Sequence, residues 1–521
     1  MGGWKMAETR HEGGVSYHIP GKDYFEQREL RRHAGVFALW ALGVGAVISG
    51  DFSGWNLGFA VGGWGGMFIA TVIITIMYLG LTYSIAEMAP ALPHTGGAYS
   101  FARRAWGSWG GFITGVAENI EYVLTPAVIV FFIGSYLTGI FETPAAFQPV
   151  WWILGYIVFV GLNARGVELS FTVTVIVTLL AIAILIVFFV SAIPFLDFGK
   201  YAMNIGADPA TGAAVELPDG HGPFLPFGIH GVLAALPFAV WLYLAIEQIP
   251  LASEESADPK RDMPKGIMLG MFTLIALGFL VLVINPAIPI TREVTDAAGT
   301  ATTVHGAFAL GTSGEPILDG FRAIFGSNWA KALALIAVAG LVASFHAIIF
   351  AYGRQIYSLS RAGYFPHFLS VTHGTYKTPN LALITGGVVG LAVMLIVWFT
   401  MGGEAAGSFI GGVLLNMAVF GAMFSYLLQG LTFIKLRKSF PNIERPYRSP
   451  FGIFGAALTV IIAFVTIGFQ LADPVYRTGV IGVAIWYALA ILYFAAYGRK
   501  TLVFSPEEEF AVKHREGAVK V

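Results

Sequence analysis

The chain contains no cysteine and few charged residues. Among its 521 residues there is no cysteine, which excludes disulfides, thiolate metal sites and cysteine nucleophiles. Only 12% of the residues are charged, whereas soluble domains average about 25%. The sequence also lacks a metal-ligand cluster, a catalytic triad and a basic stripe for nucleic acid. We therefore expect a protein that is not an enzyme and that holds no metal or other cofactor.

Long apolar runs make up most of the chain. Apolar residues account for 56% of the sequence, and the mean hydropathy is +0.73. The run from Phe171 to Val190 is uncharged and long enough to cross a bilayer. Because comparable runs recur along the chain, the sequence predicts an all-α polytopic membrane protein. The predicted spans are 35–61, 65–92, 107–139, 149–164, 169–194, 231–256, 266–290, 328–359, 380–400, 407–434, 451–472 and 478–498.

The distribution of basic residues predicts how the chain is oriented. With a cytoplasmic N terminus and twelve spans, all but five of the 30 lysines and arginines fall in cytoplasmic segments. This bias is typical of the positive-inside rule. We therefore expect a cytoplasmic tail at 1–34, a single transmembrane domain at 35–498 and a second cytoplasmic tail at 499–521. The polar start of the chain predicts no cleavable signal peptide.

The first predicted span contains an unusual stretch, Leu42–Asn56, which is rich in glycine and carries the carboxylate of Asp51. Glycine weakens a helix by roughly 1 kcal/mol relative to alanine, and a carboxylate at mid-membrane depth costs about 3 kcal/mol on insertion scales. Interrupted backbone at this depth is tolerated where it lines a cavity. The stretch predicts either a ligand site or a kinked packing helix with a structural aspartate.

The sixth span carries a matching irregularity. Glu247 lies in its middle, between Pro237 and Pro250. Interrupted helices at corresponding positions in two halves are typical of inverted-repeat transporters. We therefore predict two repeats of five spans with helices 1 and 6 broken. The repeats would cover residues 35–194 and 231–434, with two extra helices at 451–498.

Several segments carry a family resemblance. The run Ala86 to Gly107, AEMAPALPHTGGAYSFARRAWG, resembles the end of span 2 in the amino acid–polyamine–organocation (APC) superfamily. The segments SEESADPKRDMPKGI, GRQIYSLSRAGYFPHFLSVTH and LRKSFPNIERPYRSP resemble the segments after spans 6, 8 and 10. This resemblance implies the leucine-transporter-like 5+5 inverted-repeat fold and transport by alternating access.

Two further segments resemble the ethanolamine permease family within that superfamily. They are VGAVISGDFSGWNLG in span 1 and GGFITGVAENIEYVLTPAVIV in span 3. The resemblance implies a secondary permease of the plasma membrane that imports ethanolamine or a closely related small cationic amine. An amino acid or polyamine permease on the same fold is the alternative, and a ligand-sensing transceptor is a third hypothesis.

The buried charges agree with a cationic substrate. Asp51, Glu118, Glu121 and Glu247 lie in predicted spans, whereas lysine and arginine are absent from the central parts of all spans. An unbalanced set of carboxylates favours a cationic ligand, a coupling cation or bound protons.

Each candidate site residue has a structural alternative. Asp51 is the first candidate for the ammonium contact, or it caps the second half-helix. Glu247 is a gate or substrate ligand, or a neutral buried carboxyl group. Glu118 and Glu121 of span 3 both face the site, or one of the two is purely structural. Trp241 and Tyr243 are aromatic walls of the site, or plain packing. The predicted substrate-binding residues are Ser49, Gly50, Asp51, Glu118, Glu121, Tyr122, Trp241, Tyr243 and Glu247.

Two residues of span 8 are candidates for coupling to an ion gradient. His346 can carry a proton, or it is a hydrogen-bonded core histidine. Ser344 lies where some members of this fold bind sodium between spans 1 and 8, although a lone serine is a weak signal. The sequence leaves H⁺ and Na⁺ open as the coupling ion.

Overall fold

The computed structural model describes most of the chain. The described residues are 8–12, 14–20, 24, 26–203, 206–207, 214–217, 220–295, 301–402, 407 and 409–504. Most of the predicted C-terminal tail, 499–521, therefore lies outside the described residues.

The described part of the chain is a bundle of apolar helices. Eleven helices are long and apolar enough to cross a membrane, and Val36–Phe52 is a shorter apolar helical segment. These twelve helical regions lie where the twelve spans were predicted, as expected of a multi-pass membrane protein. In chain order the spans are Val36–Val47 with Ser49–Phe52 (span 1), Gly58–Ala91, Gly97–Phe141, Gln148–Ala164, Val167–Ala192, Gly228–Trp241 with the 3₁₀ segment Ile246–Glu255 (span 6), Pro259–Ile284, Pro316–Arg361, Asn380–Met401, the π-helical Phe409–Leu414 with Leu415–Ser439 (span 10), Gly452–Ala472 and Arg477–Ala496.

Glycines with positive φ divide three of the long helices. Gly63, Gly107 and Gly326 have φ values of 65°, 79° and 73° inside spans 2, 3 and 8. Glycine adopts this backbone region without the steric cost that a side chain would add. The predicted starts of these spans, at 65, 107 and 328, lie next to the breaks, so each helix of the structure begins before the predicted start of its span.

Short strands and helices fill the ends of the bundle. The strands are β1 Glu8–Glu12, β2 Val15–Ile19, β3 Gly206–Ala207, β4 Ala214–Val215, β5 Thr291–Thr295, β6 Ala301–His305 and β7 Leu502–Val503. Strands β1 and β2 form an antiparallel hairpin, and β2 pairs with β7 in parallel, so the two terminal segments meet at one end of the bundle. Strands β3–β4 and β5–β6 form separate hairpins. The remaining short elements are the helices Phe198–Tyr201 and Gly306–Leu310 and the 3₁₀ turns Trp55–Leu57, Ala145–Phe147, Ile193–Phe195, Asn285–Ala287, His367–Ser370, Pro474–Tyr476 and Gly498–Lys500.

The interior of the bundle is formed by a subset of spans. An apolar stretch of 18 residues is 83% buried in span 6 and 78% buried in span 3. The corresponding stretches of spans 4 and 12 are only 17% buried. Spans 3 and 6 therefore lie inside the bundle, and spans 4 and 12 lie at its periphery. The predicted site residues lie on the inner spans.

Candidate functional site

The backbone of span 1 unwinds in the middle of the bundle. After the single turn Ser49–Phe52, Ser53 is extended and Gly54 has a φ of 97°. The carbonyl oxygens of Phe52 and Ser53 accept hydrogen bonds from the Tyr136 hydroxyl at 2.7 Å and from the Trp241 indole at 3.0 Å. Freed backbone groups need such partners inside a membrane protein. Side chains of spans 3 and 6 therefore stabilise the interruption.

Ser344 of span 8 binds the same region of span 1. Its hydroxyl donates to the carbonyl of Gly45 at 2.7 Å and accepts from the Ser49 amide at 2.8 Å. Both bonds are made before the interruption, one to the helix Val36–Val47 and one to the turn Ser49–Phe52. Ser344, the candidate for a sodium site, thus bonds span 1 directly through its hydroxyl in the described structure.

Span 6 is interrupted beside the unwound part of span 1. Its first helix ends at Trp241, and Ala245 has a φ of 80°, which a residue with a side chain seldom adopts. The two interruptions are in close contact. A Cβ on Gly50 would lie 2.6 Å from the Trp241 carbonyl oxygen, and one on Gly54 would lie 2.5 Å from the Trp241 indole nitrogen. Only glycine fits at these two positions without displacing Trp241.

Asp51 lies at this junction with an unsatisfied carboxylate. Only 1% of the residue is exposed, and neither carboxylate oxygen has a hydrogen-bond partner among the described residues. A Cβ on Gly278 of span 7 would lie 3.7 Å from Asp51 Oδ1 and 3.6 Å from the Tyr243 hydroxyl, so Asp51 and Tyr243 face the same point on span 7. The Tyr243 hydroxyl accepts a hydrogen bond from Thr75 at 2.9 Å. The carboxylate makes none of the capping bonds that the structural alternative requires.

Glu247 lies in a second group of polar side chains, which we call the tyrosine–carboxyl cluster (Tyr78, Glu121, Tyr122, Glu247 and Tyr426). The hydroxyls of Tyr122 and Tyr426 donate to Glu247 at 3.0 and 2.8 Å. The Tyr426 hydroxyl is also 3.2 Å from Glu121 Oε1, and the two carboxyl groups contact each other. Because two ionised carboxylates in contact repel each other, a shared proton or a bound cation stabilises such a pair.

The two glutamates of span 3 have different partners. Glu121 faces Glu247, whereas Glu118 Oε2 accepts a hydrogen bond from Gln355 of span 8 at 2.8 Å. Both side chains are buried. Glu118 and Glu121 therefore belong to separate polar contacts, although they lie one helical turn apart.

His346 is a fully buried, hydrogen-bonded histidine. Its Nδ1 lies 3.0 Å from Asn163 Nδ2, and its Nε2 lies 3.2 Å from the Ser170 hydroxyl. Both ring nitrogens thus have partners on spans 4 and 5. This geometry is the one expected of the core histidine that the sequence offered as an alternative to a proton carrier.

Protein groups close the site toward the end that carries the terminal segments. Glu255 forms a buried ion pair with Arg354 at 2.6 Å, and its carbonyl oxygen accepts from the amides of His33 and Ala34. Beside this pair, Arg361 donates to Glu254 at 2.5 Å. These bonds connect spans 6 and 8 to the segment that precedes span 1.

The opposite end is closed as well. Asn56 Nδ2 donates to the carbonyl oxygens of Leu310 and Ser313 at 2.6 and 2.8 Å, so the segment 306–313 covers the unwound part of span 1. Asp319 bonds Arg292 and Arg322 nearby, each at 2.7 Å. Burial raises the pKa of the adjacent Glu315 carboxyl, and the charge of Asp319 raises it further. The structure is therefore closed at both ends.

Sequence reasoning missed several residues that complete the site. They are hydrogen-bond donors or ion-pair partners, and all except Glu255 of span 6 lie on spans in which the sequence showed no interruption. An isolated tyrosine in an apolar span gives no signal, because aromatic residues make up 14% of this chain. Arg354 offered a better signal, since an arginine inside a helical span needs a partner. The missed residues are Thr75, Tyr78, Tyr136, Glu255, Arg354, Gln355 and Tyr426.

Comparison with known proteins identifies the family. The amino acid permease family model matches residues 35–496. An uncharacterized transporter of Rhizobium meliloti (strain 1021) is 24% identical, covering 90% of this chain and 92% of its own length. In Bacillus subtilis (strain 168), a methylthioribose transporter is 23% identical, covering 91% of this chain and 95% of its own length. A branched-chain amino acid permease of the same strain is 24% identical, covering 91% and 94%. The chain therefore belongs to the amino acid permease family and is a multi-pass membrane transporter, not an enzyme.

Proposed function

We propose that the protein is a secondary permease that imports ethanolamine or a closely related small cationic amine by alternating access. The observation that carries the proposal is the Asp51 carboxylate, which is buried at the interruption of span 1 with both oxygens unpartnered in the described structure. Burying an ionised carboxylate without a partner is costly. A primary ammonium offers three hydrogen-bond donors and one positive charge. The described residues around this carboxylate supply it with neither a hydrogen bond nor an ion pair.

The backbone of span 1 supports an amine over an amino acid. An amino acid substrate presents a carboxylate, which needs free amide donors or a cation. The amides of Ser49, Asp51 and Gly54 already donate to the Ser344 hydroxyl, the Ile48 carbonyl and the Asn56 side chain. These donors at the interruption are thus engaged, while the acceptor oxygens of Asp51 remain available.

The remaining predicted residues have defined places in this proposal. Tyr243 faces the same point as Asp51 and supplies a hydroxyl for the alcohol end of ethanolamine. Trp241 positions span 1 through its bond to Ser53. Glu121, Tyr122 and Glu247 lie in the tyrosine–carboxyl cluster, and Glu118 of span 3 bonds Gln355 of span 8 outside that cluster. We assign the first three a role in gating or in binding the cation.

The proposal includes the architecture and the orientation. The interruptions of spans 1 and 6 support a 5+5 inverted repeat with two additional helices. The excess of basic residues supports a plasma-membrane protein with both termini in the cytoplasm. The chain has no cysteine, so the substitution Lys500→Cys introduces a single labelling site. Labelling of this site in intact cells tests that orientation.

Transport by reconstituted protein tests the function. We expect liposomes containing the protein to take up labelled ethanolamine, with competition by similar amines and weak competition by alanine or polyamines. Varying H⁺ and Na⁺ gradients separately identifies the coupling ion, for which His346 and Ser344 remain the candidates. Uptake blocked by alanine but not by excess ethanolamine would contradict the proposal, and ethanolamine binding without uptake would favour a transceptor.

Asp51→Asn tests the residue that carries the proposal. We expect ethanolamine affinity to fall about tenfold or more, corresponding to about 1.4 kcal/mol, because the amide lacks the negative charge. We also expect the ligand-free variant to unfold at an equal or higher temperature, since a neutral amide costs less to bury. The measurements are ethanolamine binding and thermal unfolding of purified protein.

Asp473→Asn is the matched control. Asp473 is also largely buried, but it pairs with His230 at 3.2 Å away from the interruption, so ethanolamine affinity should not change. Unchanged affinity in Asp51→Asn, together with a lower unfolding temperature, would show that Asp51 is a structural residue and not a substrate ligand.

A further inference from the structure

A groove of about 720 Å³ lies at the membrane end where the terminal segments meet. It is formed by the start of span 7, the last part of span 2 and the segment after span 10. Its position near this end follows from the chain, because Ser256 bridges to Ala34 just before span 7 begins at Pro259. Its lining includes neither Asp51 nor a residue of the tyrosine–carboxyl cluster, and the transport cycle proposed above does not use it.

The mouth of the groove is positively charged. Lys260, Arg261 and Lys265 line it and are exposed. Lys260 pairs with the exposed Glu444 at 3.1 Å, whereas no described carboxylate forms an ion pair with Arg261 or Lys265. Two cationic side chains of one groove are thus available to a ligand. Such a site is complementary to an anion.

The groove continues from this charged mouth along an apolar wall. Lys265, Leu269 and Phe272 follow one another at helical spacing on one face of span 7. Leu269 and Phe272 are 53% and 51% exposed, although they lie within a membrane-spanning helix. Apolar side chains exposed at this depth contact acyl chains. The wall therefore fits a hydrocarbon chain that begins beside the cations.

Aromatic residues from span 2 and from the segment after span 10 line the rest of the groove. Tyr83 and Tyr447 also line the groove, and Tyr83 packs against Phe451 with ring centroids 5.2 Å apart. Tyrosine is typical of the membrane–water interface, where its ring is apolar and its hydroxyl is hydrated. The groove thus changes from cationic to interfacial to apolar within a single cavity. A soluble anion would use only its first part.

We propose that this groove binds one anionic phospholipid, with its phosphate at Arg261 and Lys265 and an acyl chain along Leu269 and Phe272. Basic pockets between helices at a membrane surface recognise anionic head groups in this way. The bound lipid would contact the start of span 7, only a few residues after Glu255 of the buried ion pair. It would therefore stabilise the closed arrangement of that end.

Native mass spectrometry of the purified full-length protein tests this inference. The protein is reconstituted into vesicles of phosphatidylcholine with and without phosphatidylglycerol and then extracted. Its mass is measured together with that of any bound lipid. We expect retention of one phosphatidylglycerol and little phosphatidylcholine. The double variant Arg261→Gln/Lys265→Gln should retain phosphatidylglycerol at least about tenfold less well. Lys438→Gln/Lys500→Gln removes two exposed charges at the same membrane end and should retain the lipid as the unmodified protein does.

Thermal unfolding in neutral detergent distinguishes the sources of the anion. Phosphatidylglycerol should raise the unfolding temperature of the unmodified protein and of the control variant, but not that of the groove variant. Equal stabilisation by glycerol phosphate would show that the groove binds a soluble phosphate and not a lipid. Equal retention of phosphatidylcholine, or undiminished phosphatidylglycerol binding by the groove variant, would overturn the proposal. None of these outcomes depends on which substrate is transported.

Discussion

The hydroxyl of Tyr426 lies at the centre of the tyrosine–carboxyl cluster. It contacts Glu247 at 2.8 Å, Glu121 at 3.2 Å and the Tyr78 hydroxyl at 3.2 Å. The Tyr78 hydroxyl donates to Tyr426, and because a phenol carries a single proton, Tyr426 cannot donate fully to both carboxyl groups at once. The protonation of Glu121 and Glu247 is therefore coupled through this one hydroxyl.

We predict that Tyr426→Phe destabilises the protein. The change removes the hydroxyl that Glu247 and Glu121 share, and a buried acceptor that loses its donor costs about 1–3 kcal/mol. Thermal unfolding of the purified protein should therefore occur at a lower temperature. Tyr156→Phe is the matched control, because the Tyr156 hydroxyl is buried without a partner in the described structure. Equal unfolding temperatures for the two variants would contradict the role assigned to the Tyr426 hydroxyl.

At the scale of elements, the interruptions of spans 1 and 6 form one unit. The Trp241 indole bonds Ser53, and glycine at positions 50 and 54 allows the two backbones to approach. The positions of the interruptions were only partly predictable. Pro237 remains inside a regular helix, and the positive φ in span 6 falls on Ala245, which carries no turn signal. Contacts with span 1, which the local sequence does not show, decide where span 6 unwinds.

Gly50→Ala tests the contact between these two elements. The added methyl group would lie 2.6 Å from the Trp241 carbonyl oxygen, which belongs to the backbone and cannot rotate away. We expect a loss of about 1–3 kcal/mol in stability, together with reduced ethanolamine uptake. Thermal unfolding and liposome uptake measure the two effects.

The control for this prediction is Gly161→Ala in span 4. No atom of the described part of the chain lies within 4 Å of a Cβ at that position, so alanine should leave transport intact and stabilise the helix by up to about 1 kcal/mol. If Gly50→Ala behaves like this control, spans 1 and 6 are not held as closely as the structure indicates.

At the scale of the whole molecule, both ends of the candidate site are closed. The ion pair of Glu255 and Arg354 is fully buried, and the guanidinium of Arg354 also stacks on the ring of Phe350 at 3.9 Å. The segment 306–313 closes the other end through Asn56. Transport by alternating access requires these contacts to break in turn, one end at a time.

Glu255→Gln should therefore weaken the end that carries the terminal segments. Removing one charge leaves the Arg354 guanidinium buried without its ion pair, which costs about 3–5 kcal/mol. Glu444→Gln is the control, because the exposed pair of Glu444 with Lys260 contributes at most about 1 kcal/mol. Thermal unfolding of both variants should show a large decrease for the first and little change for the second. Similar decreases would mean that the buried pair does not hold this end closed.

The sequence by itself determined the class of protein, the places of the twelve helical regions and the presence of carboxylates in the inner spans. Hydropathy and composition are local properties, so each span can be located without knowledge of the others. Only the tertiary structure decided which of these groups meet. Glu121 contacts Glu247, Glu118 bonds Gln355, and Asp51 has no hydrogen-bond partner among the described residues, because the packing and rotation of all the spans together set these contacts.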